Sequence, residues 1–251
     1  VQLGLYGALI ALAIYQSLTF FVTLLLTYKA PWFKLGYLVG GIDKQAAKNL
    51  AKYTAMALTS AACVPLSHIL IRNHLGETLG WDVAGYWEAM WRLSAAYLML
   101  VTTTLSVYYL PKLSELQEAA AIKREIIQGY KIILPVAATC GLIIYLLRDF
   151  IIRMLFTADF APMEALFAWQ MVGDTLKIGS WILAYLMLGK AMVKLFIASE
   201  IIFSATFYGL TIILVKAIGL EGVALAHSLT YLMYWLLMAV FILKALNKQR
   251  I

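Results

Sequence analysis

The chain has 251 residues, of which 63% are hydrophobic and 13% are charged. A soluble domain carries roughly a quarter charged residues, so this composition excludes a protein whose whole surface faces water. The formal net charge is +7, but no nucleic-acid-binding motif accompanies it, so the sequence predicts no nucleic acid as a partner.

Seven long apolar segments follow one another along the chain. Their approximate bounds are 3–28, 53–72, 84–109, 130–149, 163–188, 195–216 and 222–244. A transmembrane helix needs about 20 apolar residues, whereas the strands of a membrane barrel are about 10 residues long with alternating polarity. The sequence therefore predicts an all-α integral membrane protein with seven transmembrane helices.

The connections between these segments alternate between many and few basic residues. One set contains 14 of the 20 Lys and Arg residues, and the other contains four. Because basic residues concentrate in cytoplasmic loops, this pattern predicts a multi-pass protein with an external start and a cytoplasmic C-terminus. Anionic membrane lipids are the expected contacts of the basic connections.

Two of the basic connections have helix-forming sequences. In connection 29–52, Asp43 occupies an N-cap position before a helix-forming run. Connection 111–131, PKLSELQEAAAIKREIIQGYK, places apolar residues among charges. We predict that both connections form amphipathic helices lying on the inner membrane surface.

Two pairs of opposite charges lie inside the predicted spans. Asp174 and Lys177 are three residues apart, and Glu88 and Arg92 are four apart, so each pair shares a helix face and can form an ion pair. A charge at the bilayer centre is costly. Each pair therefore either neutralises itself inside a helix bundle or lines a polar cavity, with cations for an anionic substrate and carboxylates for a coupling ion.

Small residues and prolines in the same spans are candidates for helix packing or hinges. Gly173 and Gly179 would let another helix or a bulky ligand come close. Pro65 and Pro135 each remove a helical hydrogen bond and bend the helix. Glu200, in the sixth span, we interpret as a residue that is protonated or extends towards the interface.

The sequence contains no recognisable motif for catalysis or metal binding. HExxH, GxSxG, CxxC and P-loop patterns are absent from the 251 residues, and His68, His74 and His227 match no ligand spacing. The sequence therefore predicts no catalytic residue, metal site or cofactor.

Two stretches resemble a known family. VAGYWEAMWRLSAAYLMLVTTTLSVYYLPKLSEL (83–116) resembles the segment from GYY-x-A-x-R to LPRLS in Wzx-type polysaccharide flippases of the multidrug/oligosaccharidyl-lipid/polysaccharide exporter superfamily. KAIGLEGVALAHSLTYLMYW (216–235) looks like the GxxGAALA start of a late helix in that family. Together with the seven spans, the resemblance covers essentially the whole chain.

The resemblance implies an architecture of two six-helix lobes around a central cavity. It identifies 1–28 as the last helix of a missing N-terminal lobe, 29–52 as a cytoplasmic inter-lobe linker, and 53–251 as the C-terminal six-helix lobe. It also implies alternating access, in which the lobes rock about a central site.

The resemblance further implies a transporter, not an enzyme, in the bacterial inner membrane. Its substrate would be an undecaprenyl-pyrophosphate-linked oligosaccharide, and other membrane proteins of polysaccharide assembly are candidate partners. The family uses cationic and acidic cavity residues. Arg92, Asp174 and Lys177 lie on suitable helices, and with Glu88 they are the predicted substrate-cavity residues.

Two other functions fit parts of the sequence. The same fold could export drugs or another lipid-linked precursor, since fold does not fix function; the cations Arg92 and Lys177 disfavour cationic drugs. A seven-helix receptor would share the span count and orientation. However, the last span has no lysine for a retinal Schiff base, and the third has no Asp/Glu-Arg-Tyr triplet at its inner end.

Overall fold

The computed structural model describes residues 4–34, 36, 40–41 and 43–247. Within these ranges the chain forms nine α-helices and no strand. In chain order they are α1 (Gly4–Lys29), α2 (Lys44–Leu79), α3 (Trp81–Thr104), α4 (Leu110–Glu115), α5 (Ala119–Leu146), α6 (Arg148–Leu155), α7 (Phe167–Gly189), α8 (Val193–Ile218) and α9 (Glu221–Asn247). A π-helical segment, Leu105–Tyr109, joins α3 to α4, and a 3-10 segment, Ala158–Leu166, precedes α7.

Seven helical stretches are long and apolar enough to cross a membrane. They are Leu9–Lys29, Lys44–Leu79, Trp81–Glu115, Ala119–Leu146, Ala158–Gly189, Val193–Ile218 and Glu221–Leu246. The prediction of an all-α membrane protein with seven spanning helices is confirmed. Most of these helices extend beyond the predicted apolar segments, because a helix continues past the edge of the hydrocarbon wherever no residue ends it.

The structure does not contain the two predicted surface helices as separate elements of the described chain. Lys44 begins the helix that contains the second span. The third span continues through the π-helical segment to Glu115, and α5, which begins at Ala119, contains the fourth span. In the described part of the chain, neither connection contains a separate surface helix, so that prediction is wrong. Pro111 does not end the third helix, because it occupies the first turn of α4, where a missing backbone N–H costs little. Residues 35, 37–39 and 42 of the predicted linker, and the basic residues at 248 and 250, lie outside the described residues.

The chain divides into two compact units, Val1–Lys48 and Asn49–Ile251. The first contains α1, and the second contains most of α2 and all of α3 to α9. The boundary falls inside the predicted linker 29–52. The assignment of these segments to two lobes of a larger transporter stays a prediction.

Helix α7 lies at the centre of the second unit and is buried along most of its length. Two apolar clusters surround it. One includes Leu105, Ile182 and Met238, and the other includes Trp87 and Phe167. Between the stretches that form these clusters, α3, α7 and α9 carry buried polar residues. The second unit thus has a polar layer between two apolar layers.

The turn between α8 and α9 depends on two glycines of the second family-like stretch. Gly219 has a φ of 69°, a left-handed conformation that glycine adopts without a steric penalty. A Cβ at Gly222 would overlap the backbone of Leu214. These glycines let α9 pack closely against the end of α8.

Candidate functional site

Asp174 is the centre of the buried polar layer, and its side chain is 1% exposed. The Tyr97 hydroxyl on α3 donates a hydrogen bond of 2.7 Å to Asp174 Oδ2. Oδ1 is 3.1 Å from His227 Nε2 on α9 and 3.3 Å from Gln170 Nε2 on α7. Gln170 Nε2 is also 3.1 Å from Ser94 Oγ. Three helices therefore supply the groups that solvate this carboxylate in place of water.

The imidazole of His227 is held on one side only. Its Nε2 contacts Asp174, whereas Nδ1 is buried without a hydrogen-bond partner in the described chain. Trp91, Phe207 and Tyr231 surround the ring, with centroid distances of 5.5, 5.9 and 4.9 Å. A carboxylate and an imidazole in contact can share a proton.

Asp174 and Lys177 do not pair as their spacing predicts. Both side chains are described, but they form no ion pair with each other; the buried partner of Asp174 is His227. The carboxylate oxygens instead contact Tyr97, Gln170 and His227. The ammonium group is therefore available for other contacts.

Lys177 is held by aromatic rings. Its Nζ lies 5.0 Å from the ring centroid of Trp91, 4.9 Å from that of Trp181 and 5.8 Å from that of Tyr231. Each distance falls within the range of a cation–π interaction. The residue is 8% exposed. The rings contact the buried ammonium group, which forms no direct ion pair with a carboxylate among the described residues.

Lys177 faces a cavity of about 380 Å³ between α2, α3, α7, α8 and α9. Aromatic and aliphatic side chains form most of its wall, and the polar groups are few. The lining residues are Ser60, Val64, Ser67, His68, Trp91, Lys177, Trp181, Ala184, Tyr185, Leu188, Phe196, Glu200, Phe203, Phe207, Tyr231 and Tyr234. An apolar cavity with a few polar groups is the usual form of a ligand site.

Glu200 and His68 belong to the same cavity. The Ser60 hydroxyl on α2 donates a 3.0 Å hydrogen bond to Glu200 Oε2 on α8. The His68 ring packs edge-on against Trp91, with centroids 4.1 Å apart. The cavity thus contains a cation on one helix and a carboxyl group on another, which the spacing of residues along the chain does not indicate.

The structure does not bring Glu88 and Arg92 into this cavity. They form an ion pair of 2.9 Å within α3. The Arg92 side chain is 78% exposed and that of Glu88 is 30% exposed, so the pair lies on the surface of the second unit. Their predicted role as substrate-cavity residues stays a prediction.

The structure places Gly173 and Gly179 where α7 packs on α9. A Cβ at Gly173 would overlap the His227 ring and come within 3.0 Å of Ser228 Oγ, and one at Gly179 would lie 3.0 Å from the Trp235 ring. Pro65 and Pro135 lie inside α2 and α5, which continue through them. The two glycines therefore have a direct packing role.

The sequence interpretation missed several residues of the site. Neither His227 nor His68 matches a ligand spacing, although an imidazole inside an apolar span itself indicates a candidate functional residue. Gln170 stands four residues before Asp174 on the same helix face, which local spacing could have revealed. No group of three or more His, Cys, Asp or Glu residues in the described chain could hold a metal ion.

The chain is similar to two curated proteins named lipid III flippase, from Escherichia coli (strain K12) and Shigella flexneri. Each is 36% identical to it over 232 residues, which is 92% of this chain and 56% of the relative. The chain thus spans about half the length of the curated relatives it matches. No protein-family profile and no solved structure matches it. The resemblance inferred from the two sequence stretches is confirmed: over 92% of its length, this chain is similar to proteins named lipid III flippase.

Proposed function

We propose that the chain is part of a flippase that moves an undecaprenyl-pyrophosphate-linked oligosaccharide from the cytoplasmic to the periplasmic leaflet of the bacterial inner membrane. The names of the two relatives support lipid III of enterobacterial common antigen as the substrate. The seven apolar helices fit a multi-pass transporter, and the names of the two relatives support a transporter rather than an enzyme. No catalytic residue is needed, because no covalent bond changes.

The observation that carries this proposal is the position of the Lys177 ammonium group on the wall of the cavity. A pyrophosphate cannot enter hydrocarbon without a counter-charge. Lys177 offers an ammonium group inside the membrane-spanning region, on the wall of a cavity and in contact with aromatic rings. Charge-assisted hydrogen bonds from such a group to phosphate oxygens are about twice as strong as neutral ones. The pyrophosphate would replace the ring contacts, while the polyprenyl chain stays in lipid.

The architecture that we propose has two lobes. Residues 53–251 would form the C-terminal lobe, 29–52 the inter-lobe linker, and 1–28 the last helix of the preceding lobe. The length of the relatives, which exceeds that of this chain, supports this arrangement. The C-terminus would be cytoplasmic, and the exposed Arg92 and Glu88 would face the other lobe across the central cavity.

A leaflet-exposure assay tests the function directly. The whole two-lobe protein would be reconstituted in liposomes with a fluorescent polyprenyl-pyrophosphate oligosaccharide, and the appearance of the headgroup in the opposite leaflet would be followed. We expect Lys177→Gln to slow transport by about tenfold or more, because it removes a charge-assisted contact of about 1.5–3 kcal/mol. Lys216→Gln is the matched control, since Lys216 is an exposed lysine at the end of α8.

Other outcomes would contradict the proposal in different ways. Equal transport by wild-type protein and Lys177→Gln would exclude the cation as a substrate contact. Transport of an aromatic cationic drug, but not of the lipid-linked glycan, would support a drug exporter. Transport by the 251-residue chain alone would contradict the two-lobe arrangement.

A further inference from the structure

Glu200 is a second polar position in the cavity, remote from the Asp174 layer. It lies on α8 within an apolar stretch, and Ser60 donates a hydrogen bond to its Oε2. A carboxyl group has about four acceptor positions on its two oxygens. One hydrogen bond from Ser60 therefore leaves acceptor positions unused on a carboxyl group that lines the cavity.

Lys177 and Glu200 lie at different depths of the helix bundle. Lys177 is 12 residues before the end of α7 at Gly189, a distance of about 18 Å at 1.5 Å per residue. Glu200 is seven residues after the start of α8 at Val193, or about 10 Å. Because a short turn joins these two helix ends, Glu200 lies about 8 Å nearer to that end of the bundle than Lys177. The cavity therefore has a cationic position and a carboxyl position separated along its length.

The wall around these two positions is aromatic. Trp181 and Tyr231 contact the cationic position, whereas Phe196 and Phe203 are on the same helix as Glu200 and line the cavity with it. Sugar rings present an apolar C–H face that packs on aromatic rings and a rim of hydroxyl groups that hydrogen-bond to polar side chains. An aromatic wall with one carboxyl group fits a sugar better than it fits a second phosphate, because a phosphate beside a carboxylate is repelled.

We propose that Glu200, positioned by Ser60, binds hydroxyl or amide groups of the substrate's glycan while Lys177 binds its pyrophosphate. This inference rests on the proposed function and adds a glycan-recognition residue to it. Lys177 would bind any lipid with this phosphate group, and Glu200 would favour those that carry sugars. The separation of the two positions along the bundle would orient the headgroup in the cavity.

Binding of two lipids to the whole protein in nanodiscs tests whether Glu200 contacts the glycan and Lys177 contacts the pyrophosphate. The probes are undecaprenyl pyrophosphate without sugars and the same lipid carrying a trisaccharide. We expect Glu200→Gln to weaken binding of the glycan-bearing lipid by about fivefold, since hydrogen bonds to charged groups are stronger than neutral ones. Binding of the sugar-free lipid should not change, which also shows that the variant is folded. Glu221→Gln, at an exposed carboxylate on α9, is the matched control.

The outcomes separate this inference from the function on which it rests. Lys177→Gln should weaken binding of both lipids. If Glu200→Gln weakens both equally, or changes neither, Glu200 does not recognise the glycan, although the flippase proposal stands. If the wild-type protein binds neither lipid, the proposed function itself is wrong.

Discussion

Replacing Gly173 by alanine tests how closely α7 must pack on α9. The added Cβ would overlap the His227 ring and lie 3.0 Å from Ser228 Oγ. The ring cannot move aside freely, because its Nε2 is 3.1 Å from Asp174 Oδ1 and three aromatic rings enclose it. The substitution therefore strains the packing of the two helices and also breaks the buried contact.

The expected loss of stability has two sources and one compensation. Overpacking of a dense core costs about 1–3 kcal/mol, and leaving a buried acceptor without its partner costs about 1–3 kcal/mol. Alanine gains about 1 kcal/mol over glycine in a helix interior. We therefore expect Gly173→Ala to lower the free energy of unfolding by about 3 kcal/mol.

Reversible unfolding in mixed micelles, followed by far-ultraviolet circular dichroism, measures this change. Gly209→Ala is the matched control, because a Cβ at Gly209 on α8 meets nothing within 4 Å. That control should be as stable as the wild type or more stable by up to about 1 kcal/mol. A Gly173→Ala protein as stable as the Gly209→Ala protein would refute the packing of α7 against α9 described here.

Three further predictions concern the charged groups. Tyr97→Phe should lower the free energy of unfolding by about 1–3 kcal/mol, because Asp174 loses a buried donor; the same change at the exposed Tyr108 should cost less than about 0.5 kcal/mol. A double-mutant cycle of Tyr97→Phe with Asp174→Ala, which removes the acceptor, should give a coupling of about 0.5–3 kcal/mol in the same unfolding assay, and a coupling near zero would contradict the hydrogen bond. Arg92→Gln should change stability by less than about 1 kcal/mol, because its pair with Glu88 is largely exposed; slower transport by this stable variant would support its predicted cavity role, and unchanged transport would contradict it.

The spanning helices could be predicted from the sequence because hydropathy alone determines them. Seven runs of apolar residues required seven helices, whatever their packing. The ends of those helices could not be predicted from the same signal. Lys44 and Glu115 lie well beyond the apolar segments, yet they remain helical because no residue between them and the spans breaks the helix.

The charged residues of the site were predictable, but their partners were not. Asp174 and Lys177 stand out as charges inside a span, and their spacing suggested a mutual ion pair. The actual partners of Asp174 are 77 residues away at Tyr97 and 53 residues away at His227. Which helix faces meet is decided by packing, for example at Gly173, and periodicity along one helix does not contain that information.

The hydrogen-bond partner of Glu200 could not be predicted from the sequence either. Its position in the sixth span suggested a side chain that extends towards the interface or is protonated. Its importance to the cavity depends on Ser60, which is 140 residues away on α2. A contact at that separation requires the fold of the second unit, because no local pattern links the two residues.

The most direct test of the account is to restore a positive charge chemically at position 177. In a cysteine-free background, with Cys63 and Cys140 replaced, Lys177→Cys would be treated with a reagent that attaches an aminoethyl group to the thiol. A reagent that attaches a sulfonatoethyl group is the control. We predict that Lys177→Cys transports poorly, that the cationic group restores transport, and that the anionic group does not. Full transport by untreated Lys177→Cys, or equal rescue by both reagents, would contradict a role for the Lys177 charge in binding the substrate.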